Sequence, residues 1–267
     1  MTASAVYVLL ALVGASGGLV AGVVGLAGGI VIVPLIVSIY GADGMGDAIV
    51  VSFFAVFFNS LSATIGNRRL RGKQEFRALI GSVRWYTLGA LLAAFVAAAL
   101  FGHYRNGISK QLLAGLQLAL AMCMLMPRSW YENARLNANA ARDAAVGSVV
   151  GGLSTLIGVG GGTYTIAYGL LNGRAIKDCT VTANYVGIFI GLMSLVGYYG
   201  YTELASFHSG VVDRNLIDGI GMTILIVAGV VFGPIGVRLQ AVLPAATIKQ
   251  AIVWILVTSS MYVLFTG

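Results

Sequence analysis

The chain has 267 residues, 58% hydrophobic and only 9% charged, with a mean hydropathy of +0.92. A soluble domain of this length is about 25% charged and needs polar residues to cover the surface it cannot bury, so a soluble enzyme, a disordered chain and a disulfide scaffold are all excluded. The net charge of +7 lies between apolar runs rather than along one polar face, which argues against a nucleic-acid partner.

Apolar runs occur at 5–40, 46–66, 79–101, 109–127, 144–172, 179–201, 215–237 and 245–265. They are continuous and lack the alternation of barrel strands, so the expected fold is all-α, a polytopic helical bundle in the membrane. At about 20 apolar residues per crossing, the length suits roughly eight to ten spans. Met1 to Leu10 holds no Lys or Arg, so a cleavable signal of the usual kind is not expected. Cys123 and Cys179 lie in or beside apolar segments and imply no disulfide framework.

Two runs are too long for one span, and glycines interrupt both. Val6–Tyr40 is broken at Gly25-Leu26-Ala27-Gly28-Gly29, and Ala144–Asn172 at Gly158-Val159-Gly160-Gly161-Gly162. An offset of 133 superposes Gly18 on Gly151, Gly25 on Gly158, Gly28 on Gly161 and Gly29 on Gly162. The chain therefore reads as two related transmembrane repeats, 1–133 and 134–267, each with a Gly-broken first segment. Paired broken segments of this kind point to a transporter binding site, because irregular backbone is tolerated at membrane depth only where it is buried in protein or lines a cavity.

Charge sets the topology. The connection after the second run carries Arg68, Arg69, Arg71, Lys73, Arg77 and Arg84, whereas its counterpart at 202–214 carries only Arg214. The positive-inside rule puts these equivalent connections on opposite sides, which predicts inverted repeats with both termini outside. That arrangement places eleven basic residues inside and three outside, leaving Arg174 and Lys177 beside the second break unassigned. A plain eight-span arrangement gives ten and six. Inversion requires an odd number of crossings per half, so each broken segment is a re-entrant hairpin or two short spans.

Gly25-Leu26-Ala27-Gly28-Gly29-Ile30-Val31-Ile32-Val33-Pro34 resembles the G-x-G-G-G-x4-P signature of the TauE/SafE family of sulfite exporters, the TSUP permeases. Ala27 departs from the pattern; the second half keeps its glycines but has Ala167 in place of Pro34. Ser52 and Thr182 match the hydroxyls that follow each element, while Val51 and Ala183 depart, and Asn67–Lys73 resembles the family's basic loop. The resemblance implies a secondary transporter of a small anion, such as sulfite, a sulfonate or a related organic acid, in the plasma membrane (for a bacterium, the inner membrane).

An anion in a low-dielectric core needs donors to replace its water. Helix N-termini supply N–H groups and about half a positive charge without a side-chain cation. Helices restarting at the breaks would direct these groups at substrate from two sides. The expected substrate-binding residues are therefore Gly28, Gly29, Gly161, Gly162, Thr163, Tyr164 and Thr165, with Ser52, Asn59, Thr182, Asn184 and Tyr185 from the following helices. Plainer readings stand beside these. Glycines in membrane helices also serve close packing, hydroxyls also bond their own turn, and Asn59, Asn184 and Tyr185 are as well suited to joining helices.

Arg84, Arg105, Lys110, Arg238 and Lys249 lie near span ends, and Trp85, Tyr86, Trp130, Tyr131 and Trp254 fit interfacial belts. His103 and His208 sit in connections. Asp43, Asp47 and Asp178 flank the breaks and read first as turn or cap residues, with access to a cavity as the alternative if those turns sit at membrane depth. No carboxylate falls mid-span, so proton coupling, sodium coupling and uniport are all compatible with the sequence. Metal, cofactor and hydrolase motifs are absent, which leaves a passive anion channel as the main alternative and a membrane enzyme as a weaker one. The expected partners are the small anion and membrane lipid; a homodimer is compatible with the sequence, but no stretch identifies an interface.

Overall fold

The computed structural model describes residues 3–41, 45–104, 110–125, 139–209 and 217–265. Within them the regular structure is entirely helical: α1 (Ala3–Val24), α2 (Gly29–Tyr40), α3 (Met45–Arg71), α4 (Lys73–Gly81), α5 (Arg84–Tyr104), α6 (Lys110–Leu125), α7 (Ala140–Ile157), α8 (Gly162–Leu171), α9 (Ile176–Ser209), α10 (Gly219–Val242) and α11 (Ala245–Phe265). Among the described residues four helices, α1, α3, α9 and α10, are each long and apolar enough to cross a membrane, and α4 with α5 forms a fifth candidate bent by 64°. This is fewer than the eight to ten expected from length. Part of the shortfall lies in the Gly breaks. They cut α2 to 12 residues and α8 to 10, about 18 and 15 Å at 1.5 Å per residue, half the hydrocarbon thickness.

Both broken segments fold back on themselves. In the first, Leu10 and Val13 of α1 share a core with Ile32, Val33 and Ile36 of α2, and Tyr7 and Tyr40 pack at the same end. In the second, the Tyr168 hydroxyl near the end of α8 donates to Asp143 in the first turn of α7 at 2.6 Å. The hairpins start from opposite ends of the bundle. The α1–α2 end carries the hydrogen bond from the Tyr7 hydroxyl to Asp218 at the start of α10, 2.8 Å. The α7–α8 end lies beside α4, where Arg174 donates to the Ser82 carbonyl at 3.1 Å.

The tips meet in the interior. A Cβ on Gly29 would overlap the carbonyl oxygen of Gly158, and one on Gly162 would overlap that of Gly25. The packing around them is reciprocal as well. Gly14, Gly18 and Gly22 of α1 press on the carbonyls of Leu225, Gly229 and Gly233 in α10, while Gly147 and Gly151 of α7 press on those of Tyr86 and Ala90 in α5. Backbones this close lack room for any side chain, and small residues supply such approaches where lipid offers no hydrophobic driving force. α3 and α9 cross between the hairpins in antiparallel sense, with Gly187 against Ser60 and Gly191 against Phe57.

The basic connection after α3 is helical rather than a loop. Arg, Leu, Lys, Gln and Glu are strong helix formers, so α3 runs on through Arg71; only Gly72, at φ 80°, interrupts it before α4 begins. Arg71 then grips Glu75 of α4 at 2.8 Å and Asp178 of α9 at 2.5 Å, an ion pair that the turn-or-cap reading of Asp178 did not foresee.

Tyr86 corrects another expectation. It is not at an interfacial belt but 2% exposed, stacked on Tyr168 with ring centroids 5.3 Å apart. Trp85 and Trp254 are exposed as a belt requires, with the Arg84 guanidinium 5.3 Å from the Trp85 ring. Asp43, Arg105, Trp130, Tyr131 and Arg214 lie outside the described residues.

Candidate functional site

The site is built from the two breaks. Each second helix restarts behind a glycine in the left-handed region: Gly28 (φ 81°) caps α2 and Gly161 (φ 71°) caps α8. No side chain caps either end, and the leading N–H groups of a helix have no partner within it, although in α2 the Val31 N–H donates back to the Gly28 carbonyl at 3.0 Å. Two positive helix ends therefore converge at the centre of the protein, Gly28, Gly29, Gly161 and Gly162 all being buried.

α3 and α9 line the meeting point. Along α3, Ser52 lies against Gly158, Val56 against Gly29 and Gly160, Asn59 against Gly28, and Ser60 against Gly187. On α9, Thr180 faces Gly25 and Gly187 faces Ala27. Asn184, four residues after Thr180 and three before Gly187, shares their helical face.

The expected site residues divide by what their polar atoms do. Asn59 and Asn184 are 1% and 0% exposed, and neither amide oxygen nor amide nitrogen in either residue has a hydrogen-bond partner. The Asn59 amide nitrogen sits 2.8 Å from where a Cβ on Gly28 would be. The Thr163 hydroxyl, in the first turn of α8, is likewise buried and unpartnered.

Other hydroxyls are taken. Ser52 Oγ lies 2.8 Å from the Gly158 carbonyl and 2.6 Å from its own-helix Ile49 carbonyl. Thr165 Oγ1 is 2.8 Å from the Gly161 carbonyl and 3.0 Å from the Tyr86 hydroxyl. Thr182 bonds back to Cys179 and Asp178 within its own turn. Tyr164 packs on the cluster around Tyr86 and Ile190, and Tyr185 meets Phe189 edge-on at 5.1 Å.

Two further unpartnered hydroxyls stand here that sequence reasoning missed, Ser60 and Ser154. Their only sequence signal was position, beside Asn59 and four residues before Gly158. Among the described residues no charged side chain is buried, and no group of three His, Cys, Asp or Glu is placed to hold a metal ion. Backbone dipoles, amides and hydroxyls are what this centre offers a ligand, a set suited to a small anion.

The chain is 24% identical, over 96% of its length and 98% of the relative's, to a probable membrane transporter protein of Haemophilus influenzae. No solved structure matches it. The family described as sulfite exporter TauE/SafE matches residues 10–263. With the paired Gly breaks and the all-helical bundle, this coverage makes the chain a multi-pass membrane transporter that belongs to the TauE/SafE family.

Proposed function

We propose that the protein is a secondary active carrier of a small sulfur-containing anion (sulfite, a sulfonate or a related organic acid), held between the N-termini of α2 and α8. The observation that carries this reading is the meeting of two uncapped helix N-termini in the interior, beside unpartnered amide and hydroxyl groups and no buried charge among the described residues. Leaving a buried amide unbonded costs about 1–3 kcal/mol, so a ligand that satisfies such groups gains what the empty protein lacks. The R–SO3 head presents three acceptor oxygens to N–H and O–H donors. Membership of the sulfite exporter TauE/SafE family supports sulfur chemistry.

The carrier mechanism rests on two inverted repeats, 1–133 and 134–267. Supporting this layout are the antiparallel crossing of α3 and α9, hairpins from opposite ends, and the exchange by which each half's first helix packs on the other half's bundle. Alternating access then moves one hairpin tip relative to the other.

Counterflow in proteoliposomes tests the reading. Labelled sulfite or methanesulfonate should exchange against unlabelled anion, and Asn59→Leu and Thr163→Val, which remove unpartnered polar groups without adding bulk against backbone, should each sharply lower exchange in protein that still folds. Normal exchange in both variants would remove the site; conductance without exchange would make the protein a channel; preference for carboxylates over sulfonates would remove the substrate class.

A further inference from the structure

Ser154 ends α7 in the last turn before the second break. Hydroxyls in these helices mostly bond a carbonyl three or four residues back: Ser148 to Ala144, Thr87 to Val83, Thr165 to Gly161. The neighbouring Thr155 instead pairs with Ser194 at 2.9 Å. Ser154 does neither. It is 0% exposed, its hydroxyl has no partner, and its Oγ lies 3.2 Å from where a Cβ on Gly161 would be, so the side chain is turned onto the residue that caps α8. Thr163, in the first turn of the same helix, has a second buried and unpartnered hydroxyl.

The other tip has nothing comparable at the matching positions. With the offset of 133, Ser154 corresponds to Ala21 and Thr163 to Ile30, both apolar and fully buried. The polar lining from the hairpins themselves is therefore one-sided. At the first tip the unpartnered group comes from α3, as the neutral amide of Asn59.

We propose that Ser154 is a substrate-binding residue, which with Thr163 donates to the oxyanion head of the substrate at the N-terminus of α8, and so orients the bound anion with its charged end toward the second tip. The inference rests on the anion site proposed above. These contacts orient the oxyanion so that its oxygens face α8 and its substituent, where it has one, faces the first tip, beside Ala21, Ile30 and the unpartnered Asn59 amide.

The test is binding of sulfite and of methanesulfonate to the purified full chain, followed by ligand-induced thermal shift. A hydrogen bond to a charged group contributes about 1.5–3 kcal/mol, so Ser154→Ala should bind roughly 10- to 100-fold more weakly. Without ligand it should denature no earlier than the native protein, because an unpartnered hydroxyl has been removed. Ser154→Thr, which restores a hydroxyl, should recover most of the affinity, and Gly152→Ser, on the same helix at a position with nothing within 4 Å, should leave binding unchanged. Thr163→Val, nearly isosteric, reads the same end of the site should Ser154→Ala fail to fold. Native affinity in Ser154→Ala alongside weakened binding in Asn59→Leu would overturn the role of Ser154 and leave the anion site standing. Absence of binding by the native protein would overturn both.

Discussion

Asn59, part of the anion site proposed above, carries a stability cost that can be measured at a single residue. Its amide is buried against Gly17, Gly28 and Gly229 with no partner for either polar atom. Asn59→Leu, close in size, removes two unsatisfied groups from an apolar setting; we expect a more stable protein, by about 1–3 kcal/mol, that no longer transports. Thermal denaturation and uptake of labelled sulfite measure the two effects, and a variant both less stable and fully active would contradict the assignment. Ala27 stores strain of a related kind. Among the described residues it is the one non-glycine at positive φ, 55°, a conformation costing an L-residue roughly 1–2 kcal/mol. Its Cβ lies 3.0 Å from where one on Gly160 would be. The sequence made the candidate hydroxyls look alike, since composition and spacing do not reveal which proton a helix has already taken. Ser52 and Thr182 match the family's pattern but bond carbonyls, while Ser154 matches nothing and stands unpartnered.

Among the elements, the interrupted segments were the most legible feature, because a glycine cluster inside a membrane-length apolar run has few structural meanings. The helical course of the basic connection was not legible as such: a dense run of arginines reads as polar boundary, although the same residues are good helix formers. Tyr86 was misread for a similar reason, since a Trp-Tyr pair at a span end suits a belt until the partner face is known. Glycine's packing role is specific at the α1–α10 contact, where Gly18 presses on the Gly229 carbonyl. Overpacking a tight contact typically costs 1–3 kcal/mol, and here the obstacle is rigid backbone. Gly18→Leu should therefore lower the denaturation temperature and the amount of folded protein recovered in detergent, while Gly152→Leu, at a position with nothing within 4 Å, should leave both near native.

For the molecule as a whole, helices distant in sequence cover one another by exchange, α1 packing on α10 and α7 on α5. Expressed alone, residues 1–133 and 134–267 should both be degraded, because each leaves a glycine face uncovered; expressed together they should restore uptake, which immunoblotting and transport assays would show. Internal similarity was visible in the sequence, but the exchange was not, because no one-dimensional pattern states which carbonyl a glycine will meet. The pairing of α1 with α10 also governs the order in which the chain can be completed. The ribosome delivers α1 first, yet the backbone it must close upon lies beyond Gly219, about four-fifths of the way through synthesis. Until then the glycine stripe of the earliest helix is without the surface it packs on. Long-range closure of this kind is slow, so a lesion late in the gene, within α10, should destabilise the first segment made.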